Sequence, residues 1–243
     1  MLNVRDVWYD ASTLYTDADV VYYMQMTKPI GNDYYDHYTI LIDLTQPEET
    51  LFGAINATGR NEIRSVEKNP AYSYTMHYDS LQLNTVNEFI KAYNDFSLSK
   101  KLPLADTARI MAYFENGLLA IAQVLNANKV PVAQHLYRVN GDRVLLISSI
   151  STIYLQTDNK IKQEIGAANR FCHWKDMVYF KEQGIRLYDW GGWYNGKEDE
   201  ALLGINKFKE KFGGTITPNY NSIVYVSLKG KLFRLLKRLK NSV

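Results

Sequence analysis

The chain has 243 residues, 46% of them hydrophobic, enough for one sizeable core. Its 28 Lys+Arg against 26 Asp+Glu leave a formal charge of +2, which removes nucleic acid as a default partner. The single cysteine, Cys172, excludes an internal disulfide, and nowhere do the roughly 20 apolar residues of a bilayer span run together.

The start, MLNVRDVWYD, has neither the basic region nor the apolar run of a secretory signal, which predicts a reducing, cytoplasmic setting. Two β-branched and aromatic runs follow, residues 20–27 and 38–44, separated by GNDYYD, and they predict a β-hairpin. Pro47, Glu48 and Glu49 open a helix that carries Leu51, Ile55, Ile63 and Val66 on one side, with Arg60, Arg64 and Lys68 recurring every four residues on another. Asn69-Pro70 ends it. Residues 71–78 alternate like a strand, and two helical segments, 85–99 and 106–115, are split by Lys101-Leu102-Pro103. A meander of three strands comes next (118–126, 132–139 and 144–153), its second turn marked by the hairpin pair Asn140-Gly141.

From Asn159 the pattern changes to helix, strand, helix. Ile161, Ile165, Ala168, Cys172 and Val178 recur at helical spacing, Gly184 closes that helix, and residues 185–190 suit a buried strand. Lys207, Lys209 and Lys211 crowd the end of the next helix, where cations suit the carbonyl end of the dipole, and Gly213-Gly214 stop it. A strand over 215–226 and a basic helix over 228–240 complete the order. In that helix Leu232, Phe233, Leu235, Leu236 and Leu239 alternate with six Lys and Arg residues. A terminal helix of this kind is expected to dock its leucines on its own domain; weak attachment to a membrane surface is the alternative. Antiparallel strands feeding one parallel crossover predict an α+β fold: a mixed, mostly antiparallel sheet with helices on both faces, in a single domain over 1–243.

Four strings taken together narrow this. Ile165-Gly166-Ala167-Ala168-Asn169, His173-Trp174, Tyr188-Asp189-Trp190-Gly191-Gly192 and Phe208-Lys209 with Phe212-Gly213-Gly214 stand in that order, preceded by Arg60-Asn61-Glu62-Ile63-Arg64. This succession resembles the Fem-type peptidoglycan interpeptide-bridge transferases and their acyl-CoA-using relatives in the GNAT acyltransferase superfamily. The chain departs from the bridge enzymes in having room for one GNAT-like unit where they carry two. It also lacks the usual Arg/Gln-x-x-Gly-x-Gly/Ala loop, offering Gln163-Glu-Ile-Gly166-Ala167-Ala168 instead.

The resemblance implies an N-acyltransferase that takes acyl-CoA as co-substrate. Its acceptor would be a nucleotide-linked amino sugar, such as a dTDP- or UDP-linked aminodideoxyhexose of surface polysaccharide synthesis. An aminoacyl-tRNA-dependent bridge transferase and a non-catalytic GNAT-like subunit are the alternatives. In such a fold two strands splay, and the first, here near 148–151 with Ser149 and Ser151, faces the donor. Lys160, Lys162, Gly166 and Asn169 at the following helix start would serve its diphosphate, since helix N-termini favour anions. Lys209 matches the lysine that stabilises charge during transfer, and Asp189, at a strand's carboxyl end beside two glycines, is the candidate base. Tyr188 alternates to the other face of that strand, so the two are not expected to share a pocket. Arg60, Arg64 and Lys68 would clamp the acceptor's diphosphate, with Trp190 and Tyr194 on the sugar. No Cys/His/carboxylate spacing suggests a metal. The 19 tyrosines suit interfaces as well as polar pockets, leaving room for a homo-oligomer.

Overall fold

The computed structural model describes residues 2–9 and 14–240. They form an α+β fold of nine strands and seven α-helices, grouped into two compact units. The first unit comprises Met1–Thr39, Gly192–Glu198 and Ile216–Val243; the second comprises Ile40–Gly191 and Asp199–Thr215.

In the second unit the strand order is β3 (Tyr34–Asp43, its residues 40–43), β8 (Leu187–Gly192), β7 (Arg143–Ser151), β6 (Pro131–Asn140), β5 (Leu119–Leu125) and β4 (Ser73–His77). β4 to β7 are antiparallel, and β7 is parallel to β8, joined to it through α5 (Asn159–Glu182). Every residue from Leu119 to Val124 is buried, so helices cover both faces of the sheet here. α5 packs against β4 to β7, and α4 (Thr107–Glu115) reaches β5 after α3 (Leu83–Lys100).

Two local expectations change. The helix that starts after Pro47 is two helices, α1 (Glu48–Ala54) and α2 (Ala57–Glu67), because Ile55 takes extended backbone and Asn56 then caps α2 by accepting from Gly59 N at 3.0 Å. On α5 the buried set is wider than one apolar stripe. Phe171, His173, Trp174, Asp176, Met177 and Phe180 are buried alongside Ile165, Ala168 and Cys172, whereas Ile161 is exposed and Val178 half-buried. α2 packs on α5 as the sheet does, so the helix is enclosed on more than one side.

The first unit orders its strands β1 (Val4–Trp8), β2 (Val20–Met26), β9 (Thr215–Tyr225) and the 34–39 part of β3. The expected β2–β3 hairpin does not form. β9 arrives from far along the chain and lies between them, antiparallel to β2, with Ile223 N donating to Asp33 O at 2.8 Å. Ala18, Val21, Tyr23 and Met26 make its core with Val7, Tyr15, Ile30, Val224 and Val226 packed around them. α7 (Leu228–Lys240) follows β9, and the leucines expected to dock are exposed instead. Among the described residues no helix is long and apolar enough to cross a membrane.

Candidate active site

The sheet of the second unit opens where β7 leaves β8. Their parallel ladder has three pairs, Arg143↔Leu187, Val144↔Tyr188 and Leu145↔Asp189. β7 stays paired with β6 beyond that point, but its register slips between Leu146 and Ser148, leaving Ile147 as the extra residue of a bulge. A bulge bends its strand and increases its twist, and past Ile147 the 148–151 segment pairs with β6 and not with β8. Ser149 and Ser151 lie on this diverging segment, opposite His135 and Ala133 of β6. Ile147 and Ser148 line a hollow of about 220 Å³ with Phe89, Tyr93, Ile110 and Tyr113.

Gly191 sits where the opening begins. Its φ is +68°, and a Cβ there would stand 2.9 Å from Leu146 O. Gly191→Ala is therefore expected to lose roughly 1–3 kcal/mol through left-handed strain and this contact. Urea unfolding measures it, and an unchanged midpoint would mean that β8 can move off Leu146.

Asp189 is fully buried. Its Oδ2 accepts from Arg143 Nε at 3.1 Å and Nη2 at 2.5 Å, while Oδ1 accepts from Gly191 N at 2.8 Å. Both oxygens thus have donors before any substrate arrives, so the carboxylate is fixed as a negative charge partner more than as an open base. Lys209, in the last turn of α6 (Glu200–Glu210), lies within its field. Burial pulls the Lys209 ammonium down to about 8, with the Asp189 charge opposing. An aromatic cluster stands beside the pair as a wall: Trp190 meets His173 at 4.6 Å and Phe212 at 4.9 Å between ring centres, and Phe208 meets Phe212 at 5.5 Å.

Behind that wall runs a buried polar network. Asp176 Oδ2 accepts from His135 Nδ1 at 2.6 Å and Tyr137 OH at 2.6 Å, and Oδ1 accepts from Tyr74 OH at 2.9 Å. Tyr137 OH also meets Tyr188 OH at 2.8 Å, and Tyr188 OH lies 3.3 Å from His173 Nδ1. Burial raises the phenols of Tyr74, Tyr137 and Tyr188, with Asp176 adding to it. Burial likewise holds the His173 imidazole well below its ordinary range, so it is neutral at pH 7. The ligand atoms of His135, His173 and Asp176 lie within 4.8 Å of one another, a spacing that a metal could bridge. Asp176, however, already has three donors, which accounts for the cluster as a hydrogen-bonded one.

Asp189 and Lys209 therefore come together, whereas Trp190 is buried against Tyr188, His173 and Phe212. Tyr188 faces the α5 network and not Asp189's partners, as alternation along the strand requires. Asn169 turns its amide to His135 Nε2 at 3.0 Å. Gly166 O accepts from Arg170 Nη1 at 3.0 Å. At the start of α5 the Asp158 carboxylate accepts from Lys160 N at 2.7 Å and Ile161 N at 2.9 Å, so part of the N–H cradle next to Lys160 and Lys162 is occupied by the chain itself. Arg60 donates to Gly53 O at 3.0 Å and to Ile55 O, closing the end of α1. Arg64 lies over the Phe52 ring at 5.0 Å, and Lys68 is exposed. Tyr194 belongs to the first unit.

The residues missed in the sequence are Arg143, Asp176, His135 and Arg170. Arg170 pairs with Glu62 at 3.1 Å and lies over Phe208 at 5.5 Å. One signal was readable: Asp176 stands four residues after Cys172 on the apolar stripe, where an acid needs buried partners.

No family model and no curated protein sequence matches the chain. FemX matches with a TM-score of 0.58 at 13% identity, over 82% of this chain and 63% of its own. The fold is GNAT-like. The C-terminal domain of a putative lysylphosphatidylglycerol synthetase from Agrobacterium fabrum matches with a TM-score of 0.55 at 12% identity, over 89% of this chain and 70% of that one. L-PGS from Bacillus licheniformis matches with a TM-score of 0.50 at 14% identity, covering 92% and 74%. This chain thus spans less than two thirds of the FemX structure. Of the four sequence strings that carry the resemblance, two fall on α5, one on β8, and the last on α6 and the residues just after it.

Proposed function

We propose that the second unit transfers an acyl group to an amine, taking acyl-CoA as donor and a nucleotide-linked amino sugar as acceptor. The observation that carries this reading is the opening of β7 from β8 at the Ile147 bulge, next to Asp189 and Lys209. An extended donor can lie along the free edge of β7, using main-chain groups that a neighbouring strand would otherwise occupy. The amine nitrogen attacks the thioester carbonyl, the C–S bond breaks, and the proton lost by the amine ends on the thiol. Lys209 supplies positive charge where the oxyanion grows, and Asp189, braced by Arg143, keeps that ammonium in place. The reaction belongs to the cytoplasmic stage of surface polysaccharide synthesis.

Aminoacyl transfer of the Fem type is the second reading, favoured by one feature. The Asp158 cap places a carboxylate where a CoA diphosphate would seek free N–H groups. Titration calorimetry with CoA, followed by turnover with a panel of dTDP- and UDP-linked amino sugars, separates the two. Binding and turnover support the amino-sugar enzyme. Binding without turnover on any amine marks a non-catalytic subunit, and no binding of CoA moves the donor to an aminoacyl ester.

A further inference from the structure

The first unit presents α7 with its leucines facing outward. Leu228, Leu232, Leu235, Leu236 and Leu239 are 55–84% exposed. At 100° per residue they fall within an arc of about 100°, a single apolar stripe. What holds the helix down is its other side. Gly230 is buried against the backbone of Asp19, so closely that a Cβ would collide with Asp19 O. Ser227 Oγ accepts from Gly230 N at 3.1 Å and donates to Asp19 Oδ1. Arg234 Nη2 donates to Asp33 Oδ1 at 2.5 Å, and its guanidinium lies 5.5 Å from the Tyr225 ring centre. These anchors fix the rotation of the helix and aim the leucines outward.

We propose that this stripe is a docking surface for an anionic lipid bilayer. Exposed Lys229 and Lys231 border the leucines on either side, Lys237 is exposed too, and no acidic residue occurs anywhere in residues 228–240. Leucines entering the acyl boundary with lysines at the phosphates is the arrangement by which interfacial helices bind. A second copy of the chain is the poorer occupant, since two stripes face to face would set lysine rows against each other. A helix already folded and oriented spends nothing on ordering when it binds, which favours a surface met often and left readily. At about 20 Å long it attaches weakly and in a salt-dependent way. The proposal is independent of the acyl-transfer reading, because it rests on the first unit alone.

Co-sedimentation of the full chain with phosphatidylglycerol/phosphatidylcholine vesicles tests it, with pure phosphatidylcholine vesicles as the control. Binding is expected to the mixed vesicles, to fall in high salt, and to drop roughly tenfold or more in Leu235→Glu/Leu236→Glu. Both leucines face outward, so this variant is expected to melt like the parent, and Lys229→Glu/Lys231→Glu weakens binding without touching the stripe. A parent that stays in the supernatant at low salt overturns the proposal, as does a leucine variant that still sediments. Light scattering that shows a dimer dissociated by the leucine variant, without vesicle binding, assigns the stripe to a second copy.

Discussion

Lys209→Met is expected to lose two or more decades of kcat, roughly the cost of a lost oxyanion donor, while melting no lower than the parent. The two halves of that result have one cause. Burial makes the ammonium costly to the fold and gives it a titration point of about 8, so methionine relieves the fold and removes the charge. The pH dependence identifies which form works. An ammonium that stabilises the oxyanion predicts a parent kcat that falls as pH rises through about 8, whereas an amine acting as base predicts the opposite. Stability carries its own sign. Between about 8 and the ordinary lysine range near 10.4, the unfolded chain holds a proton that the folded chain has released, so the parent gains stability as pH rises through that window. The advantage of Lys209→Met in calorimetry is therefore full at pH 7 and shrinks above pH 8. A methionine variant with normal kcat would return Lys209 to the helix surface.

Asp176→Ala is expected to destabilise the protein by roughly 3–5 kcal/mol, a large part of the 5–15 kcal/mol of an ordinary domain. Three donors, from the buried His135 and Tyr137 and the half-buried Tyr74, lose their acceptor at once, and the first two are out of reach of water. Asp176→Asn keeps the volume and one oxygen acceptor, so it is expected to cost less. Treatment with a chelator separates hydrogen bonds from a bound ion. An unmoved melting curve fits the hydrogen-bonded cluster, and a fall comparable with that of Asp176→Ala would assign a metal to His135, His173 and Asp176.

Most elements were legible because their signals are local. Asn140-Gly141 closes the β6–β7 hairpin with Gly141 at φ +60°, and Asp106 and Asp199 cap the helices that they precede. The place of β9 was not legible, since Gln25 N and Asn221 Oδ1 meet across 196 residues and nothing near either announces it. The break between α1 and α2 was hidden because Leu51, Ile55, Ile63 and Val66 keep one helical rhythm across it. All four are buried, so the rhythm is right for the core and silent about the kink. In the site, Lys209 and Asp189 came from the succession of strings, since three lysines in a helix end look alike to composition. Arg143, which braces Asp189 from 46 residues away, has no local mark at all.

An unpaired strand edge usually invites another chain to extend the sheet, and proteins blunt it with charge, proline or a cover. The free edge of β7 is internal: β6 holds its far side, and the ladder to β8 shuts the gap at Leu145↔Asp189. The space is a wedge with one closed end. On the proposed function, what enters is a slender extended donor carrying amide groups and not a strand that brings its own sheet. On that reading the bulge at Ile147 offers a template for an extended donor without the usual risk of polymerising edge to edge, and it selects by thickness before any side chain is consulted.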